Sequence, residues 1–211
     1  MGGKEEGTVK LIVFGATGGV GQHVWKRGLE QGHEVTAFTR SPGKIDPGAG
    51  VRIAQGDVTD GDAVAEAVAG HDAAIVALGA NGLRDKTTLT TGTKNVVEGM
   101  ARHGVGRLVV LSAAGVGESW GQIPLLARVA FWTFLRTILA EHAAQEAIVK
   151  EISLDWTVVR AAILNDDPAS GRVVATNEGK VGRISRADLA EFLVAEASAG
   201  AYRGQAISVT S

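Results

Sequence analysis

The chain has no cysteine among its 211 residues, which removes disulfides, thiolate metal sites and cysteine nucleophiles from consideration. A reducing, cytoplasmic setting is the expectation that fits. An excess of charge is missing too: 21 Lys and Arg against 23 Asp and Glu leave a formal net charge of −2, so non-specific nucleic-acid binding has no electrostatic support. There is one tyrosine, Tyr202, near the carboxyl end. Long apolar runs are also lacking. The nearest approach, Trp120–Leu139 (WGQIPLLARVAFWTFLRTIL), is interrupted by Arg128 and Arg136 and is too short and charged to span a bilayer, so no membrane insertion is expected. The opening residues MGGKEEG are polar with no apolar core and read as part of a frayed tail over residues 1–8, not as a signal peptide.

Against these absences, 45% of the residues are hydrophobic, enough to bury a sizeable core, and the length suits one domain, taken as residues 9–211. That domain is organised around Val9–Trp25, VKLIVFGATGGVGQHVW. An apolar run ending at Phe14 suits a buried parallel strand, and Gly15, Gly18 and Gly21 follow it. Val20, Val24, Trp25, Gly28 and Leu29 then recur at the spacing that lines one helix face. The glycine turn thus lies between a strand's carboxyl end and a helix's amino end, where unpaired N–H groups and the helix dipole favour an anion such as a diphosphate. In that arrangement Gly15 permits the turn, Gly18 admits the diphosphate to the backbone, and Gly21 lets helix and strand close up. A turn without a ligand is the plain alternative in a chain of 29 glycines; the flanking strand and helix favour the nucleotide.

The second strand, Glu34–Thr39, delivers Arg40, Ser41 and Lys44 to the same edge. A site selecting NAD places a carboxylate here for the ribose 2′-OH, but no Asp or Glu occurs between Glu34 and Asp46. Arg40 and Lys44 suit a 2′-phosphate instead, so NADP(H) is the expected cofactor. Further strands are read at Val51–Gln55, Ala73–Ala77, Leu108–Leu111, Asp155–Arg160 and Gln205–Val209, and helices at Asp60–Val68, Thr91–His103 and Ala187–Ala197. This alternation implies an α/β fold: a Rossmann-type, doubly wound parallel sheet with flanking helices and a ligand crevice at the strands' carboxyl ends.

Taken together, GATGGVG at 15–21, Arg40, GDV at 56–58, LGA at 78–80, LSAAG at 111–115, SLDWTVVR at 153–160 and ISRADLA at 184–190 resemble an atypical short-chain dehydrogenase/reductase. Within that superfamily the chain is similar to the NmrA-like NAD(P)-binding group and to the biliverdin-IXβ reductase, or flavin reductase, enzymes, over roughly residues 9–209. The resemblance implies that Gly15, Thr17, Gly18, Gly19, Val20 and Gly21 form the pyrophosphate turn and that Arg40 and Lys44 take the 2′-phosphate. It implies that Asp57 and Val58 meet the adenine and that Leu78, Gly79 and Ala80 line the ribose and the floor. Ser112 is then placed beside the nicotinamide, with Arg160 at the same edge.

The chain departs from the wider superfamily at its acid. Typical members use a Tyr-x-x-x-Lys pair, whose phenol donates a proton as hydride arrives. Counted from Ser153–Thr157, Ile138 and His142 stand where that pair would lie. The expected chemistry is therefore NADPH-dependent hydride transfer to a small aromatic or conjugated acceptor, such as a flavin, quinone or tetrapyrrole, which delocalises charge and takes its proton from water. A non-catalytic NADP(H) sensor and a tailoring reductase of a secondary metabolite are the rival readings. Ser112 is either a hydrogen-bonding group for the carboxamide or substrate, or a strand-end serine. His142 is either a proton relay or a solvent-facing helix residue, and Glu141 and Glu146 read as solvated helix charges. Arg160 falls where the sheet meets its crevice, followed by Ala161 where the family has proline. The stretch 120–139 reads as a lid, core or subunit contact, and Asp166–Gly171, Val173–Ala175 and Ile184 as the remaining substrate wall. A monomer or homodimer without a metal is expected.

Overall fold

Leu11, Ile12, Val13 and Phe14 have no exposed surface, as an apolar run covered on both faces must. They belong to β1 (Lys10–Phe14) in a computed structural model that describes residues 7–79, 87–123, 136–161, 163–178 and 180–211. The elements that follow are α1 (Gly19–Glu30), β2 (Glu34–Thr39), β3 (Arg52–Gln55), α2 (Gly61–Val68), β4 (Ala73–Val76), α3 (Thr88–His103) and β5 (Arg107–Ala113). After them come α4 (Arg136–Lys150), β6 (Asp155–Ala161), β7 (Ile163–Asn165), β8 (Val174–Thr176), β9 (Arg183–Ser185), α5 (Arg186–Ala199) and β10 (Gln205–Thr210).

The main sheet has the order β3-β2-β1-β4-β5-β6-β10-β8 and is parallel except for β8, which runs antiparallel to β10. Strand order reverses between β1 and β4, so the chain diverges there and leaves a crevice at the carboxyl ends. Alternate residues of β1 feed opposite cores. Leu11 and Val13 pack with Val24 of α1 and with Leu189 and Leu193 of α5, whereas Ile12 and Phe14 pack with Val64 of α2 and with Val96 and Met100 of α3.

The doubly wound α/β class read from the alternation is the observed one. Several shorter features were not expected. Strands β7 and β9, which pair in a separate small parallel sheet, went unread, helix α4 was read only at Glu141, His142 and Glu146 without bounds, and α3 begins at Thr88 and not at Thr91. Val173–Ala175, expected in the substrate wall, overlaps the edge strand β8, and Ile184 is core with no exposed surface. Strands of three residues are too short for a period to show. Residues 1–6 of the expected tail, Ala80 and residues 124–135 of the apolar stretch lie outside the described residues. Among the described residues no helix is long and apolar enough to cross a membrane.

Candidate active site

The turn after β1 is held by backbone contact. Gly15 has φ +83°, and a Cβ there would stand 2.4 Å from the Ala77 carbonyl oxygen; one on Gly21 would stand 2.1 Å from that of Gly15. Only glycine fits at either place. Gly21 thus brings α1 against β1, the packing role read from the sequence, and lines neither cavity described below. Two other helix starts are closed by side chains: Asp60 accepts from the Asp62 and Ala63 N–H groups at α2, and Ser185 from Asp188 N–H at α5. The start of α1, at Gly18, has no side-chain cap and no acid in its first turn. Its donors fit an anion, which is the first test a dinucleotide diphosphate has to pass.

Two cavities of about 280 Å³ each open along this edge. Gly15, Thr17, Gly18, Arg40, Ser41, Lys44 and Val58 line the first, so the two cations expected at a 2′-phosphate share a space with the glycine turn. Gly19, Val20, Leu111, Ser112, His142, Ala161, Leu164 and Arg186 line the second. Leu78 and Gly79, at the end of β4, belong to both, so the cavities adjoin at the divergence of the sheet. Asp57 lines neither. It sits 3.6 Å from Arg40 and accepts from the N–H and hydroxyl of Thr59, bonds that, with the charge of Arg40, hold its carboxyl below the usual range.

Ser112 stands over a buried charge cluster. Its hydroxyl is 2.8 Å from Glu146 Oε1, and Arg160 reaches the same carboxylate through Nε at 2.9 Å and Nη2 at 2.7 Å. Arg160 Nη2 also donates to Glu118 Oε1 at 3.0 Å, and Lys150 Nζ lies 3.2 Å from Glu146 Oε2. Burial alone would push the Glu146 carboxyl up; hydrogen bonds and charge from Arg160, joined by Ser112 and Lys150, outweigh it and hold the group below its ordinary value. Two sequence readings are corrected here. Arg160 is fully buried and lines neither cavity, because β6 turns it, in register with Ser112, toward α4. Glu146 is buried and not solvated, and Glu141 is half-buried. The signal was present: His142, Gln145, Glu146 and Val149, the buried face of α4, repeat at helical spacing, but three of the four are polar and escape an apolar count.

His142 is buried and lines the second cavity, so the solvent-facing alternative does not hold. Its Nδ1 lies 3.1 Å from Gln145 Oε1, and Gln145 Nε2 donates to Thr93 Oγ1 at 2.9 Å. Burial lowers the imidazole pKa, with Gln145 and Glu146 pulling it back in part. Tyr202 is remote: it precedes β10 at the strands' amino ends, with its ring 5.8 Å from that of Phe192.

A glycine turn feeding an uncapped helix, cations at the end of the next strand and a crevice where a parallel sheet diverges define a dinucleotide-binding Rossmann protein. Residues 15–199 match the NAD(P)H-binding family, and the chain belongs to it, with NAD(P)H as its cofactor. An uncharacterized chloroplastic protein of Arabidopsis thaliana is 32% identical over 204 residues, 89% of this chain and 71% of that one. A 2-alkyl-3-oxoalkanoate reductase of Stenotrophomonas maltophilia is 38% identical over 113 residues, 51% of this chain; the match spans about a third, 34%, of that relative. Among solved structures, ChuY of Escherichia coli O157:H7, described as an anaerobillin reductase, superposes with a TM-score of 0.80 at 24% identity, covering 95% of this chain and 96% of its own. A short-chain dehydrogenase/reductase of Veillonella parvula solved with NADP gives 0.81 at 18% identity, covering 96% and 94%. At these identities the two structures establish a shared fold.

Proposed function

We propose that the chain is an NADPH-dependent reductase that passes hydride to a flat, conjugated small molecule, such as a flavin, quinone or tetrapyrrole, and leaves the accompanying proton to water. The bound cofactor would supply the hydride. Gly15, Thr17, Gly18, Gly19 and Val20 would hold its diphosphate, Arg40 and Lys44 its 2′-phosphate, Asp57 and Val58 the adenine edge, and Leu78 and Gly79 the ribose.

The observation that carries this reading is where the hydrogen of Ser112 goes. Glu146, held ionised by Arg160, can only accept, so the serine hydroxyl donates to it and has only oxygen lone pairs left for the second cavity. Such an oxygen suits the carboxamide N–H of a nicotinamide and is a poor proton source for an alkoxide. With the one tyrosine at the opposite edge of the sheet, an acceptor that delocalises its new charge is the substrate that needs no enzyme phenol. His142 would pass protons between water and the reduced acceptor through Nε2, its Nδ1 being held by Gln145. The reductase description of ChuY, which shares the fold, favours turnover over sensing.

Mixing the protein with NADPH and FMN, or with dichlorophenolindophenol, should bleach the nicotinamide band. Tight NADPH binding with no oxidation by any of these acceptors would reject the reductase and leave a sensor. Arg40→Glu should weaken NADPH by about 2–3 kcal/mol through loss of a charge-assisted contact. Equal affinity in that variant would remove the 2′-phosphate assignment.

A further inference from the structure

Arg186 opens α5, yet its guanidinium lies across the mouth of a different helix. A Cβ on Gly19, the first residue of α1, would stand 2.9 Å from Arg186 Nε, so the chain carries no side chain at the point where the guanidinium passes. Arg186 also lines the second cavity together with Ser112 and His142. For a cation this is an unfavourable place. Helix amino ends are positive poles, and Arg186 sits at that of α5 and over that of α1.

Little in the protein offsets that cost. Among the described residues its counter-ion is Asp166, with Nη1 to Oδ1 at 2.7 Å, but that carboxylate is 84% exposed and water and salt weaken such a pair. Asp188, in the first turn of α5, is already committed to the Ser170 and Gly171 N–H groups and to the hydroxyls of Ser170 and Ser185. A local rule broken without local compensation marks a functional position.

We propose that Arg186 is the cation for the NADPH diphosphate, on its nicotinamide-side phosphate, and that Asp166 holds the guanidinium until the dinucleotide displaces it. The inference rests on the dinucleotide reading of the crevice and deepens it. Arg40 and Lys44 belong to the first cavity, with the adenosine end; among the described residues lining the second, Arg186 is the only Lys or Arg. The exchange needs no proton: a carboxylate leaves the guanidinium and a phosphate oxygen replaces it.

Calorimetric titration of the full chain with three ligands tests this. Arg186→Gln should weaken NADPH and 2′-phospho-ADP-ribose about tenfold, the scale of one charged hydrogen bond. Adenosine 2′,5′-bisphosphate, which lacks the nicotinamide-side phosphate, should bind the variant as it binds the parent. Asp166→Asn should act in the opposite sense and tighten NADPH about two- to fivefold, because no exposed ion pair has to be broken first. Unchanged NADPH affinity in Arg186→Gln overturns the proposal, and so does an equal loss for all three ligands, which would mean general damage to the crevice. Unchanged NADPH affinity with a raised KM for FMN but not for menadione would assign the cation to the acceptor's phosphate and overturn it equally. If the binding pattern appears and no acceptor is reduced, the Arg186 assignment stands and the reductase reading falls.

Discussion

Two buried Arg–Glu pairs tie β5 and β6 to helices, one at each end of the sheet, and they are built differently. At the amino ends Arg107 donates through Nε to the Glu196 carbonyl, through Nη1 to the Asp155 carbonyl, and through Nη2 to Glu196 Oε1 and the Thr157 hydroxyl. Every nitrogen of that guanidinium is used. At the carboxyl ends Arg160 grips Glu146 with Nε and Nη2, but its Nη1 is buried with no hydrogen-bond partner among the described residues, and Glu146 spends a lone pair on a serine that lines a cavity. The same two residue types give a closed clamp where the sheet needs only to be held, and an incompletely satisfied one beside the crevice. Buried polar groups left unsatisfied are costly, so their location is informative.

The largest effect should come from the closed clamp. Arg107→Leu leaves the Glu196 carboxylate buried without its partner and should cost about 3–5 kcal/mol of unfolding free energy by urea titration, with NADPH affinity of the folded protein unchanged. A loss of NADPH affinity there would break the contrast between the two ends. Glu146→Gln, at the open clamp, should cost less stability, about 1–3 kcal/mol, while lowering kcat more than it raises KM for NADPH. If it lowers stability alone, the open clamp is as structural as the other. Smaller again is Ser112→Ala, expected to reduce turnover by about 1 kcal/mol of barrier with little change in NADPH binding; unchanged kinetics would return Ser112 to a strand-end serine.

The smallest effect concerns pH. Because burial lowers the folded pKa of His142, the unfolded chain takes up that proton first on acidification. Its contribution to stability is whole above the ordinary histidine value of about 6.5 and is lost as pH falls through that value toward the lowered one. His142→Gln should therefore flatten part of the decline in unfolding midpoint below about pH 7. His71, also lowered by burial, keeps its own share in the variant. An unchanged slope would mean that His142 is not held neutral.

Most of the first cavity was legible because its signals are short-range. The apolar run of β1, the glycines behind it and the cations closing β2 are neighbours in sequence, and the cavity that gathers Gly15, Thr17, Gly18, Arg40, Lys44, Val58, Leu78 and Gly79 assembles residues already read as a group. The surroundings of the second cavity were not. Glu146 was read as solvated because a carboxylate on a helix usually is, and Arg160 as a crevice residue because strand ends usually face one. Their pairing depends on α4 laying a polar face on the sheet, which no apolar period announces.

By itself the amino-acid order determined the β1–turn–α1 unit, the doubly wound class and the kind of cofactor, since periodicity and glycine spacing act over a turn or a strand. Only the tertiary structure decided which charges are buried and what they hold: Ser112 meets Glu146 across 34 positions, and Gly19 meets Arg186 from almost the other end of the chain. The physical reason is that the state of a charge depends on what desolvates and pairs it, and those partners are set by packing between elements, not by its neighbours in sequence.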